Sequence, residues 1–491
     1  MNMNMDTGMA GAVWIGGKRE LLWDGHLIDT ARTTAQLRLH GPTPGEVVLR
    51  HDAPWEGDGC DFHNIVKEDG FYRMYYLGWS MFDADGESAS KRPIVVCYAE
   101  SEDGLHWVKP NLGICEFDGS TDNNIILDQH TARFDNFSVF KDTNPACPAE
   151  ERYKGVGIDG FKAGSDDHYL WCFTSADGIR FTKAWRMTNR GKFDTLNVAF
   201  WDRHTGRYKC YLRDFHDVPG DDLNAGIRDV RVMESADFKQ WTVPVRLDFG
   251  GGDDYPLYTN VVQPYYRADH MYVGFPSRYV EKPAWTPNFE QLAGKESRLK
   301  RMKQHPRYGL TVTDCLFMSS RDGERWNRWD EAFLTPGPER EINWVYGDCY
   351  PALGMIETPS ALPHAPNELS LYTFDGHWSN RPSELRRYTI RLDGFVSFRA
   401  SYKLQLLTTK PFVFAGSRLS INFATSAAGF MRIKLIGVDG GLVLESGELF
   451  GDSVARDVAF GGGDLAALAG RPVRMEATMS DADWYSFQFH D

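Results

Sequence analysis

The chain has 491 residues, of which 42% are hydrophobic and 25% are charged, an ordinary balance that excludes disorder of the whole chain. The net charge of −14 argues against a nucleic-acid-binding protein, which needs basic surface to neutralise phosphates. Aromatic residues make up 13%, a proportion that suits β-strand faces and platforms for sugar rings.

The N-terminal segment, residues 1–49, shows no basic start followed by an apolar core, so it predicts no secretory signal. No run of about 18 apolar residues predicts a membrane helix. The eight cysteines are widely spaced and form no CxxC pair, which favours reduced thiols over a zinc site. These features predict a cytoplasmic protein. The strand-like run ELLWDGHLIDT is expected to pack on one of the two domains that follow.

A turn motif recurs along the chain, with Ser, then Asp two residues later, then an aromatic residue six after the Ser. Its copies are SEDGLHW, SADGIRF, SADFKQW and SRDGERW, and a degenerate fifth copy is RLDGFVSF. Asp-Gly between strand-like runs marks a tight turn, because the glycine tolerates a positive φ. Five such turns at a roughly regular spacing predict an array of propeller blades.

Three strand-like runs precede each turn, and a fourth, outer strand is expected to follow it. Five blades of four strands then occupy residues 50–403. An inserted segment, residues 288–305, predicts a helix within blade four whose basic residues form one face, which is either solvated, or part of a lid or a subunit contact. Residues 404–491 alternate apolar and polar positions without the blade turn, which predicts a β-sandwich domain. The fold class is therefore an all-β, five-bladed β-propeller followed by a C-terminal β-sandwich.

Several segments carry a resemblance to a known group: PWEG, NVAFWD, YTNVVQPYYR, LRRYTIRLDGF and DADWYSFQF. Together with the turn motif, they make nearly the whole chain resemble the five-bladed propeller glycosidases, which include invertases, levanases, arabinanases and arabinofuranosidases. The resemblance is closest to a bacterial group labelled glycoside hydrolase family 32-like. It implies hydrolysis of a furanoside or related glycan in a central funnel. The Asn-Asp-Pro-Asn-Gly start of the invertases is absent, so fructan is not implied as the substrate.

Glycoside hydrolysis needs two carboxyl groups beside the scissile bond, so acids on the funnel-lining inner strands are the candidates. These are Asp61, Asp135, Asp194 and Asp348, with Asp214 as a rival to Asp194. The resemblance implies, by position, that Asp61 is the nucleophile or base, Asp135 the stabilising carboxylate and Asp194 the acid. Crowded carboxylates cannot all ionise, so one should carry a raised pKa. The alternative for each is an aspartate that caps a turn.

Other residues are candidates for substrate binding because arginine can hold hydroxyls or anions and aromatic rings can stack on sugars. They are Glu56, Arg213, Arg228, Tyr258, Asn260, Arg278, Trp344 and His377. Each has a structural alternative, namely an ion pair within the rim or packing of a buried ring. No motif indicates a cofactor, and no metal site is predicted.

Three functions follow from these residues. The first is a glycosidase with paired carboxylates, and the second is a glycoside phosphorylase in which Arg213, Arg228 and Arg278 clamp phosphate. The third is a glycan-binding propeller without catalysis. The expected partner is a carbohydrate, with no membrane or nucleic acid, and the helix at 288–305 or the sandwich is a candidate surface for a homo-oligomer.

Overall fold

The computed structural model describes residues 11–491, except 84–85, 87–88, 160–167 and 221–224. Five four-stranded antiparallel sheets are arranged as propeller blades, and a separate ten-stranded sheet is built mainly from the C-terminal residues. The predicted fold class, an all-β five-bladed propeller followed by a C-terminal β-domain, is confirmed. Within the described ranges, no helix has the length and apolar character to cross a membrane.

Four strands precede the first blade: β1 (Val13–Gly16), β2 (Arg19–Leu21), β3 (Gln36–Leu39) and β4 (Thr43–Arg50). Blade one contains β5 (Asn64–Lys67), β6 (Tyr72–Gly78), β7 (Val95–Ser101) and β8 (Ile125–Leu127). Blade two contains β9 (Asp135–Lys141), β10 (Tyr153–Ile158), β11 (Leu170–Ser175) and β12 (Thr182–Thr188). Blade three contains β13 (Val198–Asp202), β14 (Arg207–His216), β15 (Ile227–Ser235) and β16 (Val245–Arg246). In each blade the first strand is the innermost.

Blade four is interrupted by an insertion. Its strands are β17 (Gln263–Tyr265), β18 (Ala268–Gly274), β21 (Met318–Ser320) and β22 (Trp326–Arg328). The inserted strands β19 (Ser277–Glu281) and β20 (Thr311–Cys315) form a separate two-stranded sheet, which carries three short helices, α1 (Pro287–Gln291), α2 (Lys295–Gln304) and α3 (Pro306–Leu310). Blade five contains β23 (Ile356–Thr358), β24 (Glu368–Asp375) and β25 (Glu384–Arg391).

The remaining strands form the C-terminal sheet: β26 (Val396–Ala400), β27 (Gln405–Thr408), β28 (Phe412–Phe414), β29 (Arg418–Gly437), β30 (Val443–Glu445), β31 (Asp452–Asp457) and β32 (Pro472–His490). The first three N-terminal strands join this sheet, so it draws on both ends of the chain. The two long strands β29 and β32 pair, with Ile421 opposite Phe487 and Phe423 opposite Trp484. These buried side chains form a core of their own, separate from the core of the propeller.

The turn motif is explained by local hydrogen bonds. In blade one the Ser101 hydroxyl accepts from the Gly104 N–H at 2.8 Å, and the Asp103 carboxylate accepts from the next two N–H groups. The Trp107 indole then donates to the Gly104 carbonyl at 3.0 Å. That carbonyl also accepts from the Tyr372 hydroxyl of blade five at 2.8 Å, so the turn ties two blades together. Tyr75 and Tyr211 make the same inter-blade bond elsewhere.

The ring of blades is closed by the N-terminal segment. The strand β4 pairs with β25 as the outermost strand of blade five, with Leu49 opposite Leu385. The outer strand expected after the degenerate fifth turn is therefore not formed there, and the chain continues into β26 of the C-terminal sheet instead. Asp393 of that turn is buried and accepts hydrogen bonds from Tyr265, Arg267 and Ser486, which joins the propeller to the C-terminal sheet.

The insertion lies where the sequence predicted a helix, but the prediction of one basic outer face is wrong. Arg298 and Arg301 of α2 are fully buried. The Arg301 guanidinium donates to the carbonyls of His377 and Trp378, and Arg298 donates to the carbonyl of Trp344. These hydrogen bonds to backbone carbonyls therefore fasten the insertion to blade five.

Candidate active site

The inner strands share a strained backbone position at the mouth of the funnel. Phe62, Asn136, Val261 and Cys349 have φ values of 53°, 50°, 45° and 58°, and each directly follows a predicted site residue. Such values are unfavourable for residues other than glycine, and most of all for a β-branched valine. Backbone strain of this kind concentrates at functional sites, where the surrounding structure holds a side chain in a required direction.

Three carboxyl groups from adjacent blades act on one another. Burial raises the pKa of Asp61 well above its ordinary value, and the negative charges of Asp135 and Asp194 raise the pKa of Asp61 further. Burial and the charge of Asp194 raise the pKa of Asp135 to about 7, although the Asn136 N–H partly opposes this. Asp61, Asp135 and Asp194 are called the acid cluster below. Burial is the largest cause of both shifts, and the neighbouring carboxylates add to it.

Asp194 is the most accessible member of the acid cluster, with 41% of its side chain exposed. The Arg213 guanidinium lies 3.7 Å from its carboxylate, and the Asn136 side chain donates to it at 3.5 Å. Asp194 therefore faces both the solvent-filled mouth and a positive charge, whereas Asp61 is only 4% exposed. The three carboxyl groups thus have different surroundings, which is the condition for dividing acid and base roles.

The structure places the other two candidate acids away from the acid cluster. Asp348 is buried, and burial raises its pKa to about 7, but its charged neighbours are Arg301, Arg340 and Asp375. One Asp348 oxygen accepts from the Val345 N–H at 2.8 Å, so it stabilises a loop beside the insertion.

Asp214 lies on the opposite face of blade three from Arg213, since neighbouring residues of a strand point to opposite faces. It pairs with Arg231 at 3.0 Å. Its carboxylate is thus part of an ion pair on the far face of the blade.

An aromatic wall from blades four and five stands against the acid cluster. It consists of Tyr258, Tyr279, Tyr346 and Tyr350, and neighbouring rings lie 5.6–6.1 Å apart between centroids. The charge of Asp194 adds to the burial that raises the pKa of Tyr258 and Tyr346, and Asp61 adds a smaller contribution for Tyr350. The aromatic wall therefore lies within electrostatic reach of the acids. Flat rings beside paired carboxyl groups suit a sugar substrate.

Several buried polar atoms around the acid cluster and the aromatic wall have no hydrogen-bond partner among the described residues. They are one oxygen of Asp61, the indole nitrogens of Trp79 and Trp378, the Tyr350 hydroxyl and both ring nitrogens of His377. Trp79 lies beside Asp61 and partly offsets the rise in its pKa, but the geometry falls short of a hydrogen bond. Buried polar groups are normally paired, so this concentration indicates atoms that bind substrate hydroxyls or water.

Trp79, Tyr346 and Tyr350 were missed by the sequence analysis. Trp79 directly follows β6, and the two tyrosines flank the predicted residue Asp348. Their positions next to a strand end or a predicted residue were the sequence features that could have indicated them. His377 was predicted and lies at 4.4 Å from Trp378 between ring centroids. Burial and the nearby Arg301 charge hold the pKa of His377 well below its usual range, so the ring is neutral.

The remaining predicted binding residues fall into two groups. Tyr258 is part of the aromatic wall, and two arginines contact that wall: the Arg228 guanidinium lies 4.4 Å from the Tyr279 ring and Arg213 lies 5.3 Å from the Tyr258 ring. The others have structural partners instead. Glu56 accepts from Tyr76 and Lys109, Asn260 accepts from the Val262 N–H, Arg278 pairs with Asp314, and the Trp344 indole donates to Gly337.

Two other features lie outside this site. A cavity of about 640 Å³ opens at the other end of the inner strands, lined by residues such as Lys67, Lys141 and Arg267. His216, Asp217 and Asp254 could offer three ligand atoms to a metal. However, His216 lies within hydrogen-bond distance of Asp229 and Asp254, and Arg246 pairs with Asp254, so an ion-pair network accounts for that arrangement.

No protein-family model matches the chain. Two uncharacterised proteins from two strains of Mycobacterium tuberculosis are each 28% identical to it over 150 residues, which is 30% of this chain and 40% of each relative. The chain therefore spans less than half the length of the curated relatives it matches.

Among solved structures, three similar ones act on glycans according to their descriptions. An arabinoxylan arabinofuranohydrolase of glycoside hydrolase family 43 from Bacillus subtilis is 12% identical, with a TM-score of 0.41 over 89% of this chain and 96% of that chain. An N-acetylgalactosamine deacetylase from F. plautii is 14% identical, with a TM-score of 0.42 over 72% and 95%. A family 32 β-fructofuranosidase from Bombyx mori is 9% identical, with a TM-score of 0.39 over 92% and 94%. The function has to be argued from the site itself.

Proposed function

We propose that this chain is a glycoside hydrolase that cleaves a furanoside or related glycan between paired carboxyl groups at the mouth of the propeller funnel. The observation that carries the proposal is the acid cluster, in which Asp61, Asp135 and Asp194 come from three adjacent blades, and the charge of Asp194 adds to the burial that raises the pKa of both Asp61 and Asp135. The aromatic wall opposite supplies a stacking surface for a sugar ring. Membership of the glycoside hydrolase family 32-like group, which the sequence resembles, is part of the same proposal.

The electrostatics favour a different division of roles from the one that the resemblance implies. Asp135 has a pKa of about 7, and a general acid works best when its pKa lies near the operating pH. The charge of Asp194 adds to the burial that raises the pKa of Asp135. Asp194, which is the more exposed of the two, is then left to act as nucleophile or as base for water. Asp61 is deeper, and burial keeps it protonated, so its free oxygen serves to bind a substrate hydroxyl.

The chemistry then balances in either of two forms. Asp135 gives its proton to the glycosidic oxygen as the bond to the anomeric carbon breaks, and the leaving group departs as an alcohol. In the retaining form, Asp194 attacks the anomeric carbon, and water later displaces it while returning a proton to Asp135. In the inverting form, Asp194 takes a proton from a water molecule that attacks the same carbon directly. The separation of the two carboxyl groups in a substrate complex would distinguish these forms.

Replacement of single carboxyl groups by amides tests the proposal. Asp135→Asn and Asp194→Asn should each lower kcat by about 10²- to 10⁴-fold on the best nitrophenyl furanoside or pyranoside, because each removes a proton donor or an acceptor without changing shape. Asp214→Asn is the matched control, since it lies on the far face of blade three, and it should retain near-full activity. Wild-type activity should fall as the pH rises above about 7, where Asp135 loses its proton.

The result that would refute the proposal is near-full turnover by both Asp135→Asn and Asp194→Asn on a substrate that the wild type cleaves. Assays run with and without inorganic phosphate test the phosphorylase alternative at the same time. A strict phosphate requirement would replace the hydrolase by a phosphorylase on the same site.

A further inference from the structure

Arg228 differs from the other arginines near the funnel. It lies at the start of β15, is 7% exposed, and packs against the rings of Tyr279 and Phe215 at 4.4 and 5.3 Å. Its Nε–H is buried without a partner, and no carboxylate of the described residues lies within 4.0 Å of its guanidinium. The rings cover its faces, but they leave its Nε–H without a partner among the described residues.

Neighbouring arginines in this part of the molecule have hydrogen-bond or ion-pair partners. Arg213 donates to the Lys192 carbonyl at 2.8 Å and lies 3.7 Å from Asp194. Arg278 pairs with both oxygens of Asp314. A buried charge without a counter-charge is costly, because the loss of hydration is not offset by an ion pair or by hydrogen bonds. Among the described residues Arg228 has no such counter-charge, so an incoming anion would stabilise it.

The strand pairing places Arg228 on the face of blade three that contacts the aromatic wall. Phe215 pairs directly with Arg228, and Arg213 is two residues from Phe215 on the same strand, so these three side chains share one face. The Tyr346 hydroxyl lies within electrostatic reach of both Asp194 and Arg228. Arg228 thus lies beside the aromatic wall that stands against the acid cluster.

We propose that Arg228 is the anchor of an oxyanion subsite in the funnel, which binds a carboxylate or a phosphate group close to the scissile bond. The planar guanidinium presents paired N–H donors that match the two oxygens of such a group, and the stacked rings fix its plane. The oxyanion belongs either to an acidic sugar of the glycan or to free inorganic phosphate. This inference rests on the proposed function only for the location of the substrate.

Binding of simple oxyanions tests the subsite without requiring turnover. Isothermal titration calorimetry of the full chain would use sodium glucuronate, inorganic phosphate and neutral glucose as separate probes. At least one oxyanion should bind, and Arg228→Met should weaken it by about 10- to 100-fold, the loss expected for a bidentate charge-assisted pair. Arg246→Met is the matched control, because Arg246 lies in the same blade and pairs with Asp254 on the surface. It should leave the affinity unchanged.

Stability provides a second readout that separates a binding role from a structural one. Removal of an unpaired buried charge should leave the Tm of Arg228→Met equal to or above that of the wild type. If Arg228→Met does not fold, Arg228→Lys keeps the charge but loses the planar fork, and it should still weaken binding by about tenfold. Binding of glucuronate alone assigns the oxyanion to the glycan, and binding of phosphate alone assigns it to a free or esterified phosphate.

Three results would overturn the subsite: no binding of either oxyanion by the wild type, equal binding by Arg228→Met, or a lower Tm for this variant with unchanged affinity. Loss of the proposed hydrolase activity would not affect the titrations, so the two proposals can fail separately. Titration of Asp135→Asn with the same probes makes this separation explicit, because that variant lacks the proton donor and keeps Arg228.

Discussion

Asp135→Asn is the substitution whose effect on stability follows most directly from the structure. The amide has nearly the shape of the protonated carboxyl group, so it imitates the state that burial and Asp194 impose on Asp135. The unfolded chain releases this proton near the ordinary pKa of 3.8, whereas the folded chain holds it until about pH 7. The folded wild type therefore binds more protons than the unfolded chain between these values. Its free energy of unfolding falls as the pH rises through this window and is constant above it.

The size of the effect follows from the shift in pKa. About three units at 1.36 kcal/mol each give roughly 4 kcal/mol as an upper value. Asp135 is only partly hidden from solvent, so screening reduces the expected effect to about 2–4 kcal/mol. Asp135→Asn should therefore be more stable than the wild type by this amount at pH 8, and the two proteins should be nearly equal at pH 4.

Guanidinium unfolding of both proteins, followed by tryptophan fluorescence at several values between pH 4 and pH 8, measures this difference. The wild type and the variant share all other titrating groups, so the difference between their free energies reports Asp135 together with its effect on the pKa of Asp61. A difference that is the same at pH 4 and pH 8 would show that Asp135 does not hold a proton in the folded state. The assignment of Asp135 as the general acid would then be lost.

Two further substitutions test other effects: one removes a carboxyl group whose pKa is lowered instead of raised, and the other introduces a steric clash. The first is Asp177→Asn. In the wild type, burial alone would raise the pKa of Asp177, but hydrogen bonds from the N–H groups of Arg180 and Ile179 outweigh burial and lower this pKa to about 2. The wild type should therefore be more stable than this variant above pH 4 and lose that advantage as the pH falls toward 2, in thermal melts. Equal melting at all pH values would contradict the turn argument. In Gly347→Ala the new methyl group would lie 2.2 Å from the His377 ring at a φ of +93°, so Tm and turnover should both fall, at a cost of about 2–4 kcal/mol. Gly337→Ala has a similar φ and open space, so it should cost less, and an equal loss would contradict the steric cause.

Much of the fold could be predicted because the blade turn is stabilised by neighbours in sequence. The Ser101 and Asp103 side chains bond N–H groups within three residues, so the motif carries its own structure. The closure of blade five by β4 could not be predicted, because β4 and its partner β25 are far apart in the chain and the sequence of β4 does not indicate which strand it pairs with. The burial of Arg298 and Arg301 in α2 could not be predicted for a related reason. Helical spacing shows which positions share a face, but it does not show that a backbone carbonyl of another element accepts a hydrogen bond from Arg301.

The candidate site was predictable only where the propeller repeat applied. Asp61 and Asp135 occupy equivalent positions at the start of inner strands, so the repeat brings them together. The predictions of Arg213 and Asp214 as residues of the same funnel conflict, because Asp214 follows Arg213 directly in a strand and two neighbouring side chains point to opposite faces. Tyr346 and Tyr350 lie in a loop without periodic signal, and their role depends on contacts with blade four that the sequence does not reveal.

The pairing of β4 with β25 has a consequence for how the protein is made. Gly45 of β4 accepts a hydrogen bond from Arg386 of β25, which lies 341 residues later in the chain. At typical rates of synthesis, this interval takes on the order of 20 to 70 s, during which the nascent chain carries an early strand whose partner does not yet exist. An unpaired strand edge invites association with other chains. The ring can close only after β25 has been synthesised, and we expect chaperone dependence and aggregation to concentrate before that point.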